Sequence, residues 1–182
     1  MAYQIRKMSE TDWPEVSRIY QEGMDTNLAT FQSERPTWEQ WDASHLKNCR
    51  LVITGNDKVF GWAALTAVSG RCVYAGVAEV SIYIGQENRS RGLGKALLLE
   101  LIRCSEENGF WTLQSGIMQN NAASIRLHGS CGFRMVGYRE KIGRDRYGNW
   151  RDTVLMEKRS ESDCYEGAYT CGTACSCDSG KG

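Results

Sequence analysis

Several things are scarce in this chain, and each shortage closes off a class of function. Positive charge has no excess: 22 Lys and Arg balance 22 Asp and Glu. That gives no support to a nucleic-acid partner or to a polybasic contact with a membrane. No apolar run is long enough to span a bilayer, and the opening "MAYQIRKMSETDW" lacks the charged-then-apolar layout of a secretory signal, so a cytoplasmic protein is expected. The G-x-x-x-x-G-K-S/T spacing of a Walker loop is missing. The third glycine of the dinucleotide pattern is missing too, with Leu97 or Leu98 near its place. Paired C-x2-C steps are absent, although four of the eight cysteines, Cys164, Cys171, Cys175 and Cys177, crowd the last nineteen residues. Their C-x6-C-x3-C-x-C spacing is not that of a structural zinc site, and no metal is expected. A loose, reducible tail is one reading of them, and a soft-metal or arsenical ligand is the other. From Ser160 onward there is no Leu, Ile, Val, Met, Phe or Trp. Such a stretch buries too little apolar area to offset the entropy of ordering, so residues 160–182 are expected to be disordered.

What remains is enough for one domain over residues 1–159. "YQIRKM" alternates as a short strand, Ser9 and Asp12 form an imperfect capping box, and Trp13, Val16, Ile19 and Tyr20 follow at helical spacing to about Glu22. "DTNLATFQSERP" is polar and irregular. Thr37 caps a second helix over "WEQWDASHLK", which carries His45 as an ordinary packed or surface side chain. Two apolar runs around "GNDK" read as a hairpin. "RCVYAGVAEVSIYI" reads as one long strand with a bulge or bend at Gly76. A helix from about Gly92 to Asn108, a strand over "WTLQSGIM", a short helix ending at Gly132, and two strands joined near "RYGN" complete the order. Cys49, Cys72, Cys104 and Cys131 are expected to be buried thiols. The fold class this implies is α+β, a mixed central β-sheet flanked by helices.

Three features carry chemistry. Arg89, Arg91 and Lys95 surround Gly92 and Gly94 at the start of a helix. Open backbone N–H groups, the helix dipole and three cations make an anion site fit for a pyrophosphate. A glycine-rich turn with solvated arginines is the plainer alternative. Glu79 lies in an apolar run between Ala78 and Val80. Desolvation there would raise its pKa toward the range of a general base, unless it is a structural carboxylate paired with an arginine. His128, one of only two histidines, is either a packed side chain or an acid–base group.

The segment "RSRGLGKA" resembles the acyl-CoA loop, Q/R-x-x-G-x-G/A, of the Gcn5-related N-acetyltransferase (GNAT) superfamily, through Arg89, Gly92 and Gly94. "NNAASIRLHGSCGF" resembles a second segment of that superfamily through Asn121, Ser124, Gly132 and Phe133. "VAEVSIYI" and "GNWRD" are similar to the phosphinothricin acetyltransferase-like branch. The resemblance implies the acyl-CoA N-acyltransferase fold and acetyl transfer from acetyl-CoA, as co-substrate, to the amine of a small amino-acid-like molecule. It implies Glu79 as base and His128 as acid to the leaving thiolate or polariser of the amine. Ile82, Tyr83, Ile84, Arg89, Arg91, Gly92, Leu93, Gly94, Lys95, Asn121 and Ser124 would hold acetyl-CoA. Phe31, Trp62, Arg71 and Tyr74 would meet the acceptor, and the branch implies a homodimer. Ala75 departs from the branch, where a second arginine is common. Another amine, a protein N-terminus, and a non-catalytic acyl-CoA sensor are the alternatives.

Overall fold

The computed structural model describes residues 2–161. Residues 162–182, most of the stretch expected to be disordered, lie outside the described residues.

Strand β1 (Gln4–Lys7) leads into a tight polar corner. Both guanidinium nitrogens of Arg6 reach Asp12 at 2.7 Å, and the Ser9 backbone N–H donates to the same carboxylate at 2.8 Å. The Arg6 bonds hold the Asp12 carboxyl down at about 2. Helix α1 (Trp13–Asp25) follows, with Pro14 in the first turn, where its missing N–H costs nothing. Its Val16 and Ile19 are fully buried. Helix α2 (Trp38–Ser44) opens with a complete capping box: Gln40 N–H donates to Thr37 Oγ1 at 3.3 Å, and Thr37 N–H donates to Gln40 Oε1 at 2.9 Å. It stops short of the helix expected from sequence. His45 is already extended, and its Nδ1 lies 2.8 Å from Trp41 O. Arg50 closes the end by donating to the carbonyls of Asp42, His45 and Leu46.

Strands β2 (Leu51–Gly55) and β3 (Lys58–Ala67) form the expected hairpin. The next run is not one strand. Residues Cys72–Tyr74 make a 3-10 turn, and β4 begins only at Val77, running to Ile84. Gly76 is no bulge. An added Cβ there would lie 2.1 Å from the Trp111 ring, and Gly76 O accepts the N–H groups of Trp111 and Thr112 at 2.9 and 3.1 Å. Close approach of another chain segment, not a bend, sets glycine there. Helix α3 (Leu93–Glu107), β5 (Thr112–Met118), α4 (Ala122–Ser130), β6 (Arg134–Arg144) and β7 (Trp150–Arg159) complete the elements of the described residues.

The seven strands form one mixed sheet in the order β1-β2-β3-β4-β5-β7-β6. Every neighbouring pair is antiparallel except β4 with β5. One face packs on α3 through Ala63, Leu65, Ala78, Val80, Leu97 and Leu101. The other face meets α1 and α2 through Val52, Trp62, Ala64, Val16, Ile19 and Trp41. Of the four body cysteines, Cys49 and Cys131 are buried, while Cys72 and Cys104 are half-buried, and all four are free.

Gly76→Ala should lower stability by about 1–3 kcal/mol, the usual range for overpacking a filled site. Urea unfolding followed by tryptophan fluorescence measures this directly, because Trp111 is the ring displaced.

Candidate active site

Parallel pairing between β4 and β5 lasts only from Val77–Thr112 to Glu79–Gln114. On its other edge β4 stays paired with β3 as far as Ile84. Residues 80–84 therefore present one backbone edge to a gap rather than to a strand. A cavity of about 260 Å³ fills this fork. Glu79, Ser81, Ile82 and Tyr83 of β4 line one wall, and Ser115, Gly116 and Met118 of β5 line the other. Asn121, Ser124 and His128 of α4 close one side, and residues 28–32, between α1 and α2, close another.

Glu79 stands where the strands part. Its Oε1 lies 3.4 Å from where a Cβ on Gly116 would be, so the carboxylate rests over bare backbone of the opposite strand. The side chain is exposed, which corrects the expectation of desolvation. Ala78 and Val80 are buried, but on the opposite face. Alternation along a strand turns adjacent residues away from one another, so they do not dry the carboxylate.

His128 is 1% exposed. Its Nδ1 lies 2.9 Å from Ser124 O, and a carbonyl only accepts, so the proton is on Nδ1. Nε2 is buried without a hydrogen-bond partner. Burial holds the ring below the ordinary value of 6.5, so it is neutral at pH 7 and Nε2 offers a lone pair. The Phe133 ring packs edge-on against it at 5.0 Å.

At the far end of the fork, Gly92 precedes α3 with φ of +77°, a conformation that suits glycine. No side chain caps this helix and no acid sits in its first turn. Nothing lies within 4 Å of where a Gly92 Cβ would be, so the approach is open. Arg89 is exposed, with Nε donating to Ile84 O at 3.1 Å, and Arg91 and Lys95 are exposed beside it. Open donors, a helix N-terminus and three cations fit the pyrophosphate of acetyl-CoA. Leu93 turns into the core, and Gly94 lets α3 approach Leu127 of α4.

Asn121 caps α4 by accepting from Ser124 N–H at 3.1 Å, and its Nδ2 donates to Leu28 O at 3.1 Å. Phe31 lines the cavity. Trp62 does not: it is fully buried, stacked on Tyr83 at 4.7 Å between centroids and edge-on to Tyr20 and Trp41. Tyr83 also lines the cavity, and its ring lies over Gly23, where an added Cβ would be 2.6 Å from it. Arg71 and Tyr74 are exposed on the turn before β4, the guanidinium 5.8 Å from the ring centre, and neither lines the cavity. Among the described residues no cluster of His, Cys, Asp or Glu could hold a metal ion, and no helix is long and apolar enough to cross a membrane.

The family model for the acetyltransferase (GNAT) family matches residues 6–133. The chain belongs to that family. It is an acetyl-CoA-dependent N-acetyltransferase. A phosphinothricin N-acetyltransferase of Alcaligenes faecalis is 33% identical over 162 residues, spanning 85% of this acetyltransferase and 81% of that enzyme. An L-methionine sulfoximine/L-methionine sulfone acetyltransferase of Pseudomonas paraeruginosa is 27% identical, over 86% of this chain and 94% of that one. The solved structure of a GNAT superfamily phosphinothricin acetyltransferase from Sinorhizobium meliloti, in complex with acetyl-CoA, superposes with a TM-score of 0.81. It is 28% identical, and the match covers 93% of this acetyltransferase and 97% of that chain.

The site residues missed in the sequence are Leu28, Ala29, Thr30 and Gln32 of the roof, and Val80, Ser81, Ser115, Gly116, Ile117 and Met118 of the walls. The polar, irregular stretch between α1 and α2 was the available signal for the roof. Such a long connection in a small acetyltransferase domain is commonly functional.

Burial holds both His45 and His128 below 6.5. Below about pH 6.5 the unfolded chain therefore binds more protons than the folded one, and stability falls with pH. Urea midpoints should drop between pH 7.5 and 5.5, and His128→Gln should remove part of that drop.

Proposed function

We propose that this acetyltransferase acts on the primary amine of a small amino-acid-like acceptor, of the phosphinothricin or methionine sulfoximine type. The observation that carries the reading is Glu79, an ionisable group at the apex of a cavity otherwise lined by neutral side chains. The names of the relatives support the acceptor class.

Acetyl-CoA supplies a thioester carbonyl, at which the amine nitrogen bonds as the carbon–sulfur bond breaks, and the second proton that the nitrogen sheds after attack ends on the departing sulfur. Glu79 takes the proton that the ammonium must lose, directly or through a water. An α-amino group titrates near ~8, so a fraction of the acceptor is already neutral near pH 7, and a base held close to the nitrogen draws on that fraction. The unpaired backbone edge around Ile82, Tyr83 and Ile84 offers N–H donors where carbonyl oxygen gains charge. Arg89, Arg91, Gly92, Leu93, Gly94 and Lys95 hold the pyrophosphate, and Asn121 and Ser124 border the adjoining part of the fork. With its Nδ1 on Ser124 O, His128 offers Nε2 as an acceptor, which supports a hydrogen bond from the amine over proton delivery to the departing thiolate. Phe31 packs on the acceptor's side chain, and Trp62 backs the wall through Tyr83. Arg71 and Tyr74 meet whatever part of the acceptor projects from the cavity, Arg71 being the candidate partner for its acid group. Holding two substrates in one fork supplies much of the acceleration. We further assign a cytoplasmic homodimer, for which the exposed Met135, Val136, Tyr138 and Ile142 on edge strand β6 offer an apolar face.

Thiol release from acetyl-CoA, assayed with phosphinothricin, methionine sulfoximine, methionine sulfone and short peptides, tests this. One amino-acid analogue should turn over, and Glu79→Gln should lower kcat about 10²–10⁴-fold while acetyl-CoA still binds. Undiminished turnover in Glu79→Gln removes the base from the mechanism, and turnover of peptides alone replaces the acceptor class. Gly92→Ala should raise the KM for acetyl-CoA about tenfold, since it both disfavours the left-handed backbone and fills the approach.

A further inference from the structure

The cavity roof is bound to the rest of the domain in an unusual way. Among the described residues, no backbone–backbone hydrogen bond joins residues 28–32 to any other element. Side chains do that work. Leu28 O accepts from Asn121 Nδ2, and Ala29 O accepts from the Tyr83 hydroxyl at 3.4 Å. Phe31 packs so closely on Gly143 of β6 that an added Cβ would lie 2.9 Å from its ring.

Just before the roof, Asn27 adopts a left-handed conformation with φ of +54°. Its Nδ2 donates to Asp145 Oδ2 at 3.0 Å, across 118 residues of sequence. Asp145 lies at the β6–β7 turn and its side chain is 1% exposed. Its Oδ1 accepts the backbone N–H groups of Tyr147 and Asn149, both at 3.0 Å. Arg151 lies 3.7 Å from Asp145 Oδ2, and its Nη2 reaches Asn27 O at 3.4 Å and Asn120 Oδ1 at 3.0 Å. Beside it, Arg146 donates to Met24 O at 2.8 Å. The segment after α1 and the β6–β7 turn thus meet on one buried carboxylate, and Arg151 links Asn120, just before α4, to the same place.

We propose that Asp145 is a positioning residue for the acceptor amine: through Asn27 it locks the β6–β7 turn to the segment that roofs the cavity. The carboxylate touches none of the cavity and so sets acceptor affinity only through the roof. One oxygen organises its own turn and the other faces Asn27 and Arg151. A buried acceptor of this kind is costly to leave half-matched. The acetyl-CoA end, at Gly92, is built on α3 and lies outside this network, so the two substrates should respond differently. The acceptor half of this inference rests on the proposed function, while the roof half does not.

Asp145→Asn separates the roles. Its remaining oxygen can still accept from Tyr147 and Asn149, but its amide then faces the donors of Asn27 and Arg151. With L-methionine sulfoximine as acceptor, its KM should rise about tenfold while the KM for acetyl-CoA stays within about twofold. Hydrogen–deuterium exchange at residues 27–32 should accelerate, with α3 unchanged. Asn27→Ala should do the same, and the double variant should add little more, as expected for one shared contact. If Asp145→Asn does not fold, Asn27→Ala carries both readouts. Unchanged exchange at 27–32, or an equal rise in both KM values, overturns the proposal. Should the wild type leave methionine sulfoximine untouched, the acceptor reading fails, and exchange alone still decides whether Asp145 holds the roof.

Discussion

Two neighbouring parallel strands that stop pairing halfway impose the constraint on which this domain depends. Beyond Glu79, the backbone donors and acceptors of β4 that face β5 have no strand to bond. Backbone groups buried without partners are costly, so such a fork persists only where water or a ligand completes it. The cavity, the carboxylate at its apex and the uncapped start of α3 at its mouth all follow from that one interruption. Continuous pairing to Met118 would leave Glu79 as one more polar residue on a sheet face.

Much of this was legible beforehand, for reasons that are local. Capping boxes at Thr37 and near Ser9, helical spacing in α3, and the glycine–arginine cluster before it are written in adjacent residues. What failed was whatever depends on the third dimension. Glu79 looked dry because its sequence neighbours are apolar, but strand alternation sends those neighbours to the other face. Trp62 looked available to a substrate, but it lies under Tyr83 in a buried aromatic layer. Gly76 looked like a kink because nothing local announces that Trp111 would lie on it. The roof was visible only as irregular sequence, since its hydrogen bonds reach partners 54 and 93 residues away along the chain.

The cavity has a stiff side wall and a differently made roof. On the face of β4 that carries Glu79, Tyr20, Trp41, Trp62 and Tyr83 pack with centroids 4.7–5.6 Å apart, and an added Cβ on Gly23 would collide with Tyr83 at 2.6 Å. Dense aromatic packing of this kind resists displacement. By contrast, residues 28–32 are held by side-chain hydrogen bonds and by the Phe31 ring against Gly143, with no backbone ladder to another element among the described residues. A rigid sheet with variable loops over it is how one fold serves many substrates. The relatives named for different acceptors, at 27–33% identity, are what such a construction permits.

The sheet order carries a consequence for how the chain is made. The last strand, β7, lies between β5 and β6, pairing Thr112 through Met118 on one side and Arg134 through Arg144 on the other. A growing polypeptide that has delivered everything up to Arg144 has an open edge on β5 and no sheet for β6 to join. Closure waits on residues 150–159, and β5 is the edge a chaperone would have to shield in the meantime.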